Sequence, residues 1–315
     1  MCTYNGELYL AEQLNSIIKQ TRLPDELVIC DDGSTDTTIQ IIDDFVKKAP
    51  FPVRIYYNEI RLGATKNFEK AITLCNGDII AFSDQDDVWK PCKLERIEQA
   101  FENNPDAGYV FSNALIVNEM LRPLGYTMWK SASFTERRRR RFEKGYQLEV
   151  LLKRNVVTGA TMAFRSEIKN FILPISELWI HDGWIALIGS ALGRMGVFIN
   201  EPLIYYRQHS NQAIGGRKVG LYKEVKNANS IGVGIFNLEQ LRFIQIIERL
   251  ITLNIPKNSD VIKGVSQKVS HIHARANLHT RGRIARMPLV LKELIALRYH
   301  RFSGGWKSVA RDIFL

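Results

Sequence analysis

The 315-residue chain has no apolar run approaching the ~20 residues that cross a bilayer. Its first ten residues carry Glu7 and lack a basic stretch followed by an apolar core, so no secretory leader is expected there. Cysteine is scarce: Cys2, Cys30, Cys75 and Cys92 show no C-x-x-C spacing, which argues against zinc and predicts reduced thiols in a cytosolic protein. There is no Gly-rich phosphate loop near the start, as a nucleotidyltransferase would show. A recognisable nucleic-acid module is also missing.

What is present is an ordinary globular composition, 45% hydrophobic and 24% charged. The net charge of +10 points to an anionic partner: a nucleotide, an acidic membrane surface or nucleic acid. The charge is uneven. Arg137 to Arg141 form one basic run, the segment after Arg217 is basic, and the N-terminal third is rich in Asp and Glu.

Apolar spacing predicts a helix over 7–20, a strand over 26–30, a helix over 36–48, a strand over 53–57 and a helix over 64–75. The next strand runs from Asp78 to Phe82 and breaks into Asp84-Gln85-Asp86-Asp87. Strands alternating with helices of this length mean an α/β fold with a largely parallel sheet flanked by helices. Further strand-like runs are Tyr109 to Phe111, Val156 to Phe164, Gly196 to Ile199 and Leu203 to Arg207. Residues 115–150 are polar and poorly periodic and read as a mobile loop or insertion. Gly215-Gly216 marks a boundary between a domain over 1–215 and a basic amphipathic helical region over 216–315.

One expectation concerns the start. A strand should anchor the polar loop Thr3-Tyr4-Asn5, yet the sequence begins at Met1. The sheet lacks its first strand, or the sequence starts inside a longer product; the second fits better, because such a loop needs an anchor.

A strand interior cannot hold three unpaired carboxylates, so Asp84, Asp86 and Asp87 belong at the strand's end. Ligands of such sheets bind beyond the carboxyl ends of the strands, where Thr3-Tyr4-Asn5 and Asp31-Asp32 also fall. Acids so placed suit Mg²⁺ or Mn²⁺ holding a diphosphate, although an isolated D-x-D is also a common solvated turn.

Thr3-Tyr4-Asn5-Gly6, Asp31 to Asp36, Leu62 to Asn67, Asp84-Gln85-Asp86-Asp87 and His181-Asp182 occur in the order found in family 2 glycosyltransferases of the GT-A fold, which residues 1–215 resemble. The Asp-Gln-Asp-Asp form, with Tyr206 to Asn211, resembles the rhamnosyltransferase-like branch of bacterial polysaccharide synthesis. This resemblance implies inverting transfer of a sugar from a dTDP- or UDP-sugar donor to a saccharide or lipid-linked hydroxyl, with no nucleic acid involved. Thr3, Tyr4, Asn5, Asp31, Asp32, Lys66 and Asp84 would contact the nucleotide, with helix capping or loop holding as the competing roles of Asp31 and Asp32. Asp86 and Asp84, with His209 as a further ligand, would hold the cation that offsets charge on the leaving diphosphate. Asp182 would be the general base, with His181 the fallback and N-capping the alternative. Asp87 and Arg207 are weaker candidates for acceptor or phosphate contact, with pairing to a nearby lysine as the other role of Asp87; Trp179 and Trp184 would stack on a sugar ring or equally belong to the core. The basic tail fits docking to the inner face of a cell membrane, or its apolar face packs within the protein. The alternatives are an inactive sugar-nucleotide-binding scaffold or a nucleotidyltransferase.

Overall fold

The computed structural model describes residues 1–210 and 233–314. The chain divides into two compact units, Met1–Glu143 with Val156–Arg217, and Lys144–Asn155 with Lys218–Leu315. The boundary expected at Gly215-Gly216, and Asn211 of the Tyr206 motif, lie outside the described residues.

The N-terminal unit opens with strand β1 (Cys2–Thr3), helix α1 (Leu10–Ile18), β2 (Leu27–Asp31), α2 (Thr38–Val46), β3 (Val53–Tyr57) and α3 (Ala64–Leu74). It continues with β4 (Ile79–Ala81), β5 (Val88–Trp89), α4 (Lys93–Glu102), β6 (Ala107–Val117), β7 (Pro123–Thr127), α5 (Met128–Ser131) and α6 (Glu136–Glu143). After helix α7 (Gln147–Lys153), which belongs to the second unit, come β8 (Met162–Arg165), α8 (Lys169–Ile172), α9 (His181–Ala191) and β9 (Met195–Arg207).

β1, β2 and β3 form a parallel sheet in that order. β2 is buried along its whole length, as a parallel strand covered on both faces must be. Leu10, Leu14 and Ile17 of α1 cover it, in one core with Leu27, Ile29, Ala114, Ile116 and Ile204. The other sheet runs β4-β8-β6-β9-β5, with β7 beside β6. It is mixed: β6 and β9 are parallel, while β4–β8, β6–β8, β5–β9 and β6–β7 are antiparallel.

At the start of the sequence, Cys2–Thr3 form a short strand that pairs in parallel with Cys30 and Asp31 and leads into the polar loop. The Met1 ammonium extends the pairing by donating to the Val28 carbonyl at 2.7 Å. Residues 115–150 are not a loop. They fold because Trp129, Phe134 and Phe142 bury against Phe111 of β6 and Phe198 of β9, ring on ring at 5.2 to 6.2 Å. The five-arginine run lies on α6, whose Phe142 points into that aromatic cluster.

The second unit is helical: α7 with α10 (Val233–Thr252), α11 (Asp260–His279), α12 (Arg283–Ile295), α13 (Arg298–Phe302) and α14 (Trp306–Phe314). Phe243, Ile246 and Leu250 of α10 are buried, so an apolar face of that helix packs within the protein.

Candidate active site

The acids stand where β4 ends. Asp84, Asp86 and Asp87 occupy the turn into β5, Asp182 lies in the first turn of α9, and Tyr206 and His209 lie at the end of β9. The half-buried carboxyl of Asp84 is pushed up to about 7, first by its burial and then by the charges of Asp86 and Asp182. It accepts no hydrogen bond among the described residues. The Tyr206 phenol is held well above its ordinary range by burial, and next by Asp87, Asp84, Asp86 and Asp182, which places it amid the acids.

Each neighbour of this cluster has a definable task. Asp86 Oδ2 pairs with His209 Nε2 at 2.8 Å, and the Tyr9 ring packs on that imidazole. Asp87 is fully buried; its Oδ1 accepts the Arg207 backbone N–H at 3.0 Å, tying the acid turn to β9 rather than facing an acceptor. Arg207 is buried too, donating to the carbonyls of Asp86 and Glu119 and to the Glu12 carboxylate. Lys93 is a second buried cation near the acids. Burial drags it down to about 7 against the pull of Asp87 and Asp84, and its ammonium donates to the Ala160 carbonyl at 2.8 Å.

Gln85 is a strut that sequence reasoning did not assign. Its amide accepts from Tyr4 N at 2.8 Å and donates to Tyr4 O at 3.0 Å, clamping the acid turn to the loop after β1. Gly6 makes room for it, since a Cβ there would lie 2.4 Å from the Gln85 oxygen. No periodicity marks a polar side chain that bonds only to backbone, so this role was not legible.

Asp31 accepts from Thr3 Oγ1, Gly33 N, Ser34 N and Ser34 Oγ at 2.6 to 3.1 Å, using its full lone-pair capacity. Asn5 is locked to the same turn: its N–H donates to Ser34 Oγ and its side chain accepts from Thr35 N. Asp32 grips Asn58 Nδ2 and the N–H groups of Leu62 and Gly63 at 2.7 to 2.8 Å, so it shapes the loop that starts α3. Lys66 on α3 donates to Glu69 and the Ile175 carbonyl, which neutralises its charge internally. Another cation stands at the loop instead. The exposed Arg61 guanidinium lies 3.8 Å from the Tyr4 ring centroid and has no ion-pair partner among the described residues.

The start of α9 separates two adjacent candidates. Asp182 Oδ2 accepts the Gly159 N–H at 2.8 Å, and the helix N-terminus favours its ionised form. His181 is enclosed: its ring packs on Phe68 at 4.1 Å and Phe82 at 4.8 Å, and neither nitrogen has a hydrogen-bond partner. Burial drops its pKa to about 3, leaving a neutral and weakly basic imidazole. Gly159 is required beside it, since a Cβ would lie 2.5 Å from His181 Nε2. Trp184 is core, with its indole N–H on the Ile172 carbonyl at 2.7 Å; Trp179 stays half-buried, its carbonyl accepting from Thr65.

Among the described residues no three His, Cys, Asp or Glu side chains form a ready-made metal cage. The donor set still suits Mg²⁺ or Mn²⁺. Such ions commonly take one or two protein carboxylates and complete their shell with substrate phosphates and water. Asp84, repelled by two neighbouring carboxylates and without a hydrogen-bond donor among the described residues, is a carboxylate whose charge such an ion would relieve.

Carboxylates converging at the strand ends of a layered α/β unit define a GT-A-type domain. Residues 1–170 match the family model for glycosyl transferase family 2, and the chain belongs to that family. It is 28% identical to the dTDP-rhamnosyl transferase RfbG of Shigella flexneri, over 68% of this chain and 73% of that one. It is also 28% identical to an uncharacterized glycosyltransferase of Nostoc sp., over 65% of this chain, and spans 62% of that relative's length. Among solved structures, Staphylococcus aureus TarS 1–349 in complex with UDP-GlcNAc shares the fold, with a TM-score of 0.57 and 19% identity over 85% of this chain and 68% of that one.

Proposed function

We propose that this chain catalyses inverting transfer of a sugar, with rhamnose the leading candidate, from a dTDP- or UDP-sugar to a hydroxyl of a saccharide or lipid-linked acceptor in cell-surface polysaccharide synthesis. The family and RfbG support that reading. The observation that carries the site is the convergence of Asp84, Asp86 and Asp182 without a neutralising ion pair to Asp84.

The donor's nucleotide lies along Thr3, Tyr4, Asn5 and Asp31, with Arg61 over Tyr4 as the free cation for base or phosphate. A divalent cation, when bound by Asp86 and Asp84 with His209 behind Asp86, supplies charge neutralisation for the departing diphosphate. Asp182 takes the proton of the acceptor hydroxyl as that oxygen attacks the anomeric carbon from the face opposite the diphosphate. The new C–O bond forms as the bond to the diphosphate breaks, and the proton stays on the Asp182 carboxyl. Gly159 N–H holds one oxygen of Asp182 and leaves its orientation fixed for that task. His181 cannot share the role while its ring is enclosed by Phe68 and Phe82.

The test is release of nucleoside diphosphate from a panel of dTDP- and UDP-sugars, with and without lipid-linked acceptor, in Mg²⁺, Mn²⁺ or chelator. Asp182→Asn keeps an oxygen for Gly159 N–H, so it should fold and bind nucleotide while losing about 10²–10⁴-fold in transfer. Full turnover in that variant removes Asp182 as base. No turnover of any donor by the unaltered protein favours the scaffold.

A further inference from the structure

The last helices of the C-terminal unit expose large apolar side chains together with cations. Met287, Leu291 and Ile295 recur every four residues on α12, one face of a helix, and all are exposed, Ile295 by 74%. Leu297 follows them at 60%. On α14, Trp306 and Phe314 share a second face with exposed Ala310, each aromatic 66% exposed. The opposite faces hold the unit together: Val290 of α12 and Val309 of α14 pack in one core with Leu278 and Tyr299.

Charge sharpens the picture. Between Arg281 and Phe314 the sequence has eight Lys and Arg and two carboxylates. Both carboxylates are buried, Glu293 on His271 and Arg298, and Asp312 on Arg275 and Tyr299. The exposed charges of this stretch whose side chains are described are therefore all positive: Arg281, Lys292, Arg301 and Lys307.

We propose that this surface docks on an anionic lipid bilayer, with α12 and α14 as interfacial elements. Large apolar side chains ringed by cations suit the boundary between acyl chains and acidic headgroups. A second copy is a poorer occupant, because a two-fold contact of α12 and α14 would set cation against cation, both carboxylates of these helices being buried. Nucleic acid would leave the apolar side chains unused. The inference rests on exposure and charge and is independent of the transferase reading.

The experiment is flotation of the full chain with vesicles of phosphatidylcholine alone or with a third phosphatidylglycerol. Binding should rise roughly tenfold or more with the anionic lipid and fall in high salt. Leu291→Glu with Ile295→Glu, at exposed helix positions, should lower it roughly tenfold or more. Lys292→Gln with Lys307→Gln should lower it through charge alone. Met120→Glu, at a site equally exposed in the N-terminal unit, should leave it unchanged. The proposal is overturned by equal binding to neutral vesicles, by both double variants binding normally, or by Met120→Glu costing as much. It is also overturned if those variants abolish self-association or duplex DNA binding instead. Nucleotide diphosphate release without lipid reads the catalytic reading separately.

Discussion

In the N-terminal unit, Asp84, Asp86, Asp87 and Asp182 gather near the buried Lys93 and Arg207, and Asp84, which no side chain pairs among the described residues, is pushed up to about 7. In the helical unit, Arg275 meets Asp312 through two bonds of 2.6 and 2.8 Å, Tyr299 adds a third at 2.9 Å, Lys268 pairs with Glu239, and Arg298 with Glu293. One region leaves like charges facing each other; the other matches its charges. Matched buried ions fix helix register and lose their value as binding groups. Unmatched ones cost stability, and persist where a ligand completes them.

The largest stability effect should come from breaking a matched pair. Asp312→Ala leaves the Arg275 guanidinium buried without its carboxylate and should cost about 3–5 kcal/mol in urea unfolding. Asp84→Asn should do the opposite. A folded pKa raised from 3.8 to about 7 means that the folded state holds its proton more tightly. The ionised group's penalty is thus absent below about pH 4 and fully present above about pH 7. Removing the charge should stabilise the metal-free protein at pH 8. A destabilised Asp84→Asn, or a neutral Asp312→Ala, breaks the contrast between the units.

Much of this contrast could be read in the residues beforehand, for physical reasons. An apolar strand running into carboxylates has one solution, so the ends of β2 and β4 were legible. The aromatic residues between β6 and α7 were not, because Trp129, Phe134 and Phe142 follow no helical or strand period and are ordered by contacts with Phe111 and Phe198. The matched ions of the C-terminal unit were equally hidden. A basic amphipathic helix looks the same whether its arginines meet water, lipid or a buried Asp312.

His181 offers a smaller test of the unmatched region. It is neutral and unpartnered, with a folded pKa of about 3 against an ordinary 6.5. The unfolded chain therefore takes up the proton first as pH falls below about 6.5, and stability drops by about 1.4 kcal/mol per pH unit until about pH 3. From pH 7 to 5 the protein should lose about 2 kcal/mol that His181→Leu does not lose. Parallel denaturation profiles for the two proteins would show that His181 titrates alike in the folded and unfolded states, and would return it to the list of bases.

The smallest expected effect separates two cations on one loop and helix. Lys66 is occupied by Glu69 and the Ile175 carbonyl, whereas Arg61 lies over Tyr4 without a carboxylate partner among the described residues. Asp32 holds that loop through the N–H groups of Leu62 and Gly63, so Arg61 is presented from a fixed backbone. A charged group already matched has little left to give an incoming phosphate, while an unmatched one gains charge-assisted hydrogen bonds. Arg61→Ala should therefore weaken binding of UDP or TDP roughly tenfold by calorimetry. Lys66→Ala should weaken it less and act mainly on stability, through the Glu69 carboxylate it leaves behind. Equal losses of nucleotide affinity would mean that Lys66 abandons Glu69 when nucleotide arrives, and the division between matched and unmatched charge would then depend on the ligand.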